Sequence, residues 1–572
     1  MSFVRNRSAK WCVLPLVAIA SFCAPTSSAL PLSTPQTIGP DAQTVLRSTI
    51  EAGKLPDLRW PDFSDYRKHL QEFYDSYGYG LAWISEVKSS GMKPTSQAQA
   101  VIARLQTAGQ KGLSADDYDG PRWPARLAKF TASPPPTEAE ASLFDLELTV
   151  CVMRYISDLH IGKVNPQHFD FGFDLQNKKY DLPEFLKTQV VNAPDVAAAL
   201  AQVEPPFPGY RRTLEELQKY TQLAMHDDGE QLPTVKKPIE AGDTYAGVPR
   251  MARLLRLVGD LPADAVVPPD STVYQGALVD AVKKFQLRHG RDPDGRLGAK
   301  TIADLNVPLS RRVRQMQLVL ERWRGLPDIF QKSPIVVNIP EFRLRAFDDK
   351  LQVALAMNVV VGKAYGHGTP VFDDTMQYVV FRPYWNVPRS IIRSELVPKI
   401  AKDPGYLAKK GFSVVDNRGD VVASGTVTSD VLAQIRSGEL SIRQNPGPAN
   451  ALGLVKFIFP NSHSVYMHDT PVREVFSRSR RDFSHGCIRL EKPADLAAWV
   501  LRNNPGWDMD RIRAAMNSDA PQQVNLAQPI PVIIVYGTVV VREDGQVYFY
   551  DDIYGYDKDL EKVLDKGYPY PW

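Results

Sequence analysis

The hydrophobic rhythm of the chain changes once, decisively, near residue 335. Before that point apolar residues recur at three and four. From about Arg59 to Tyr220 this predicts a mostly helical region, clearest in Ala98–Gln106 and Thr213–Ala224 and broken once at Pro134-Pro135-Pro136. A short module from about Gly247 to Pro308 follows. It holds a one-sided helix, Ala277–Gln286, a Gly- and Asp-rich turn, Gly290–Gly298, and the stretch Thr301–Asn306. Arg311–Arg324 reads as one amphipathic helix. From Ile335 the period drops to two, and Ile335–Phe347, Leu351–Val361, Tyr378–Phe381, Leu454–Phe459 and Ser464–Met467 predict strands. Helical and turn-rich sequence between about 391 and 450 interrupts them and reads as an insertion. A further helix opens at Lys492-Pro493 and runs to about Asn503, with proline at a favoured first-turn position.

The N-terminus has another pattern. Arg5, Arg7 and Lys10 precede an apolar run of thirteen residues, Trp11–Cys23, which is short for a bilayer span. Ser27-Ser28-Ala29 supplies small residues for cleavage, so 1–29 reads as an export signal, with an uncleaved inner-membrane anchor as the weaker alternative. Phe22 before Cys23 is too bulky for a lipoprotein signal. Residues 30–57, rich in Pro, Ser and Thr, predict a flexible lead-in.

A length of 572 residues calls for two to four domains. The net charge of +3 is close to balanced and does not suggest bulk nucleic-acid binding. Removal of the signal leaves Cys151 and Cys487, too few for a disulfide scaffold. Cys151, inside the apolar stretch Leu146–Tyr155, reads as a buried inert thiol. His160 and His168, without partners at ligand spacing, read as ordinary histidines.

Cys487 is different. It stands in Ser484-His485-Gly486-Cys487-Ile488-Arg489, nineteen residues after His468. A thiol needs a base before it becomes a strong nucleophile, and an imidazole can take its proton and later return it to a leaving amine. His468, at the end of a predicted strand, is favoured for that part. His485 competes for it, or orders the loop or touches substrate with Ser484. Gly486 allows close approach, and the Cys487 N–H is a natural oxyanion donor. Arg473, Arg478, Arg480, Arg481 and Arg489 crowd the same stretch. Arginine forks match carboxylates, so an acidic peptide substrate fits, with Arg489 the best placed. Zinc is the rival reading, since Cys487, His468, His485 and Asp469 are ligand types. The spacings of zinc motifs are absent, and neither a metal nor a cofactor is expected.

These residues resemble the L,D-transpeptidase family, whose catalytic domain is often called the YkuD fold. Its pattern is a histidine followed some fifteen residues later by S-H-G-C-[IV]-R, and fifteen residues separate His468 from Ser484 here. Val361-Gly362-Lys363, Thr369-Pro370, Pro383–Pro388, Gly447–Gly453 and His468–Pro471 look like the large Gram-negative members, although Ala449 and Ala451 flank Asn450 where a second asparagine is common. The run V-x-x-F-Q-x-x-x-G-x-x-x-D-G-x-x-G-x-x-T, ending at Thr301, resembles a small peptidoglycan-binding module. The resemblance implies a multidomain fold: an α-helical N-terminal scaffold (58–246), a small helical peptidoglycan-binding-like module (247–308), a connecting helix (309–333), and a β-rich catalytic domain (334–572) with an inserted capping subdomain at about 391–450.

It also implies a reaction. Cys487 would attack the third residue of a donor tetrapeptide stem, release D-alanine and pass the acyl group to the side-chain amine of an acceptor meso-diaminopimelate. The product would be a three-to-three peptidoglycan cross-link made in the periplasm. His468 would be base and then acid, backbone near Tyr466 and the Cys487 N–H would hold the oxyanion, and Trp385 and Tyr466 would line the cleft. Carbapenems would acylate the thiol, and peptidoglycan synthases and carboxypeptidases would be partners. An L,D-carboxypeptidase or hydrolase using the same cysteine, and a non-catalytic wall-binding scaffold, are the alternatives.

Overall fold

The structure, a computed structural model, describes residues 35–87, 91–178, 180–327, 333–364 and 366–571. The export signal expected over 1–29 lies outside them.

The N-terminal region packs around one helix, Glu138–His160. Thr137 and Glu140 cap it reciprocally, side chain to backbone in both directions, and it is buried along most of its length. Cys151 lies in its centre, and burial pushes the thiol well above its ordinary range. This is the inert thiol that the sequence predicts. The expected flexible lead-in is instead ordered from residue 35. Its helix, Pro40–Ala52, places Ala42, Leu46 and Ile50 against the same core and ends on Gly53 in the left-handed region. Ile84–Val87 and Gly91–Pro94 pair as antiparallel strands within this mostly helical region.

The module over 247–305 has three helices, Val248–Leu257, Ala277–Arg288 and Ala299–Leu305, around its own core. Gln286 organises its turn. Its amide donates to Asp294 Oδ1 (2.9 Å) and to the Arg296 carbonyl (3.0 Å), while its oxygen accepts from Gly295 N (2.8 Å). The helix Leu309–Arg324 then packs beside Pro208–Met225, and both join the core of the C-terminal domain.

That domain is a closed barrel. In ring order its strands are Val353–Gly362, Ile488–Leu490, Met467–His468, Val455–Ile458, Phe372–Phe381, Gln522–Val535, Ile335–Asn338 and Arg343–Phe347, and the last pairs back with the first. Closure removes free edges. The strand expected over Ile335–Phe347 is split at Phe342, whose φ of 55° makes the turn. The strand expected at Ser464–Met467 shrinks to Met467–His468. It pairs in parallel with Ile488–Leu490, so the chain between them must cross over rather than turn back as a hairpin. Asp482–Ser484, on that crossover, adds to the edge of Val353–Gly362.

The interruption is a unit with its own core. Trp385–Asn386, Ser441–Gln444, Phe412–Val415 and Val421–Ala423 form a sheet under short helices, with Ile392, Leu396, Ile435 and Ile442 inside. It therefore starts a few residues before the expected 391. Asn450 stitches its two ends, donating to the carbonyls of Pro383 (3.1 Å) and Asn445 (2.9 Å) and accepting from Leu452 N (2.8 Å).

Beyond the barrel the chain returns to the N-terminal helical region. The Tyr568 hydroxyl meets Asp158 (3.1 Å), and Asn165 N donates to the Pro571 carbonyl (3.0 Å). Among the described residues no helix is long and apolar enough to cross a membrane.

Candidate active site

Register builds the site. Met467 opposes Ile488 and His468 opposes Arg489. Met467 and Ile488 are both fully buried in the barrel core. Side chains alternate along a strand, so Tyr466, His468, Cys487 and Arg489 share the opposite face. Lys456, paired with His468 on the neighbouring strand, joins them.

His468 is buried, and its Nδ1–H donates to the Asp469 carbonyl at 2.5 Å, which leaves Nε2 as the basic nitrogen. Burial first, then the Arg489 guanidinium and the Lys456 ammonium, holds its pKa down at about 3. The imidazole is neutral at rest. The Asp469 carboxylate is engaged elsewhere, accepting from Leu454 N (2.9 Å) and Thr470 N (2.7 Å). His485 is turned to Glu395.

The nucleophile loop is held from within and from behind. Ser484 Oγ donates to the Cys487 carbonyl (2.6 Å) and accepts from Gly486 N (3.1 Å). Gly486 sits at φ 116°, a conformation that favours glycine. Thr369 Oγ1 donates to the Gly486 carbonyl (2.8 Å) and accepts from Gly362 N (2.8 Å). The Tyr554 hydroxyl donates to the Gly362 carbonyl and accepts from Thr369 N. Gly362 must be glycine, because a Cβ there would lie 2.0 Å from the His367 carbonyl oxygen.

Burial raises the Cys487 thiol above its ordinary range. The Tyr466 backbone N–H, the Tyr466 phenol and Arg489 pull it back in part. A helix N-terminus can assist a thiolate, and the helix expected to open at Lys492-Pro493 does begin at Pro493, but it lies beyond the strand Ile488–Leu490. Three strand residues span about 10 Å, and a helix dipole fades within about a turn, so its help does not reach the sulfur.

Of the five arginines, four are committed. Arg473 donates to the carbonyls of Leu490 and Glu491, and Arg480 grips Asp482 with both arms at 2.8 Å. Arg481 donates to backbone carbonyls, and Arg478 stacks over Phe483. Arg489 makes no hydrogen bond or ion pair among the described residues, and its Nε is buried without a partner. Burial lowers its pKa and only the Cys487 thiolate opposes that shift. A guanidinium so placed awaits an anion.

The inserted unit forms the facing wall. Burial raises the pKa of the Tyr466 phenol, and Trp385 of the insertion acts on that hydroxyl in the opposite direction. The His485 ring meets Glu395 of the insertion at 2.8 Å and packs edge-on against His367 at 5.0 Å. Sequence reasoning missed Glu395, Thr369, Tyr554 and Lys456 as parts of the site. Thr369-Pro370 stood out as a string, but nothing local marks Tyr554 or Glu395. A thiol, a neutral imidazole, converging N–H donors and a free guanidinium can carry out acyl transfer to sulfur.

Residues 333–541 match the family described as "L,D-transpeptidase catalytic domain". Residues 68–217 match one described as "Scaffold domain", and residues 247–305 one described as "Putative peptidoglycan binding domain". A Haemophilus influenzae protein named "Putative L,D-transpeptidase" is 32% identical over 257 residues, covering 44% of this chain and 51% of that protein. The match thus spans about half the length of that curated relative. The crystal structure of the L,D-transpeptidase (residues 123-326) from Xylanimonas cellulosilytica matches at 14% identity over 53% of this chain and 100% of that one, with a TM-score of 0.16, a likeness on which nothing here rests.

Proposed function

Because the chain carries an L,D-transpeptidase catalytic domain beside a peptidoglycan-binding domain, we propose that it forms three-to-three cross-links in peptidoglycan with Cys487 as nucleophile and His468 as base. One observation carries this reading: the thiol, a neutral imidazole and an uncommitted guanidinium share one face of the Met467–His468 and Ile488–Leu490 pair.

His468 Nε2 takes the thiol proton as sulfur bonds to the carbonyl carbon of the third stem residue. The carbonyl electrons move onto oxygen, where the Cys487 N–H and backbone near Tyr466 receive them. The bond to D-alanine breaks, and His468 returns the proton to the departing amine, leaving a thioester. The side-chain amine of an acceptor meso-diaminopimelate attacks that thioester and gives its proton to His468. The amide forms, sulfur leaves, and the proton returns to it. A site that disfavours imidazolium speeds each return step, since the cation is held only briefly. Arg489 suits a stem carboxylate, and Trp385 and Tyr466 wall the cleft with Ser484, His485 and Gly486 shaping its floor. The inserted unit over the site favours an amine over water as acceptor.

Domains that act on peptidoglycan imply a place outside the cytoplasm, and the N-terminal pattern refines this to the periplasm. Incubation with disaccharide-tetrapeptide is the test. Cross-linked dimers with released D-alanine are expected, whereas tripeptide alone would assign a carboxypeptidase. A carbapenem should add its mass to the wild-type protein and not to Cys487→Ala. No adduct on the wild type overturns the acyl-enzyme.

A further inference from the structure

A cleft of about 260 Å³ lies where the small helical module meets the barrel. On one side is the module turn 287–292. On the other are the hairpin 340–343, the loop 476–481 and Arg542. The seam is tightly made. Arg291 bonds Asp304 of the module and Asp551 of the C-terminal domain, each at 2.7 Å. Gly290 packs so closely on the Tyr550 ring that a Cβ would lie 2.9 Å from it.

Charge in this cleft is unbalanced. Leu344 and Ala346 are fully buried, so the same strand turns Arg343 and Arg345 outward. Both guanidinium groups and that of Arg542 gather about one carboxylate, Glu341. Arg345 holds it with both arms, at 2.6 and 2.7 Å, and Arg542 stands at 3.9 Å. Arg343 makes no hydrogen bond or ion pair among the described residues, and Arg542 keeps a buried Nε without a partner. Arg481, on the adjoining loop, is already spent on the carbonyls of Phe342 and Val359 and on Asn358 Oδ1. Burial lowers the pKa of Arg343, Glu341 opposes that shift, and Arg345 and Arg542 add to it.

We propose that this cleft is a second binding site, separate from the thiol, where Arg343 and Arg542 hold the carboxylates of a peptidoglycan strand. Every cation lining the cleft is arginine, whose planar fork matches a carboxylate in a way that lysine does not. The loop 476–481 is followed along the chain by Asp482–Ser484 and then by Cys487, six residues beyond Arg481. Anchoring raises the local concentration of stems without any change at the sulfur. The inference rests on the peptidoglycan reading above.

Co-sedimentation of the full chain with purified sacculi tests it. The double variant Arg343→Gln, Arg542→Gln should bind about tenfold more weakly than wild type, the scale of losing two charge-assisted contacts. That difference should vanish on sacculi whose carboxyls have been amidated. Equal binding to native sacculi, or a difference that survives amidation, overturns the proposal. If the double variant melts early, Arg478→Gln, an exposed change on the same loop, should still weaken binding about two- to threefold, and no weakening overturns the proposal equally. Carbapenem labelling of the wild-type thiol reads the catalytic proposal independently, so either idea can fail while the other stands.

Discussion

The Glu395 carboxylate and the His485 imidazole meet at 2.8 Å, and through them the inserted unit holds the loop that carries Cys487. The two side chains are 38% and 37% exposed, so the pair is modest in energy, about 0.5–1 kcal/mol. Glu395→Ala and His485→Ala should each lower kcat/KM, and their double-mutant cycle should show a coupling of about two- to fivefold. Loosening the wall should also raise the share of hydrolysed tripeptide over dimer. Strictly additive effects with an unchanged product ratio would show that the contact does not close the site.

Thiol reactivity in the free protein should follow the resting protonation states. Cys487 is raised above the ordinary cysteine range of about 8.5, and His468 is neutral above about pH 3. The rate of iodoacetamide alkylation should therefore climb through alkaline pH in one step. A thiolate–imidazolium pair would instead give a plateau of fast alkylation between pH 5 and 7 or so. Observing that plateau would reverse the assigned proton distribution.

Thr369 supports the loop without touching the sulfur. Thr369→Val leaves the Gly362 N–H and the Gly486 carbonyl without their partner, each costing about 1–3 kcal/mol when buried. Carbapenem acylation should slow about ten- to hundredfold, the melting temperature should fall by several degrees, and Thr369→Ser should restore both. Tyr554→Phe should act in the same direction through Gly362. Acylation at the wild-type rate in Thr369→Val would remove the threonine from the site.

The segment preceding residue 58 should matter for stability. Leu46 is fully buried, and Leu46→Ala should cost about 2–5 kcal/mol. Urea unfolding monitored by tryptophan fluorescence measures it. An unchanged midpoint would restore the view of a passive tether.

The string around Cys487 and its distance to His468 were legible because both are short-range features of the sequence. What makes them a site is the parallel register of two strands of two and three residues, too short to show any period. The longest strand, Gln522–Val535, was unread because Pro529 and Pro531 argue against a strand interior. The barrel accommodates them with a register shift between Asn525 and Ile530. The helix Pro40–Ala52 did carry signals, with apolar residues four apart, proline at its start and glycine at its end, but they were masked by surrounding Pro, Ser and Thr. Glu395 could not be found, since only the folded insertion brings it to His485.

Tyr568 and Pro571 close against Asp158 and Asn165, contacts that join positions some four hundred residues apart. Synthesis delivers the first domain long before the segment that seals it. The helical region must therefore wait, incompletely clad, until residues 568–571 arrive, and such distant closures slow folding. A change at Tyr568 or Pro571 would be felt first around Asp158 and Asn165. Proteolytic sensitivity of the N-terminal domain, more than loss of the catalytic barrel, would be its signature.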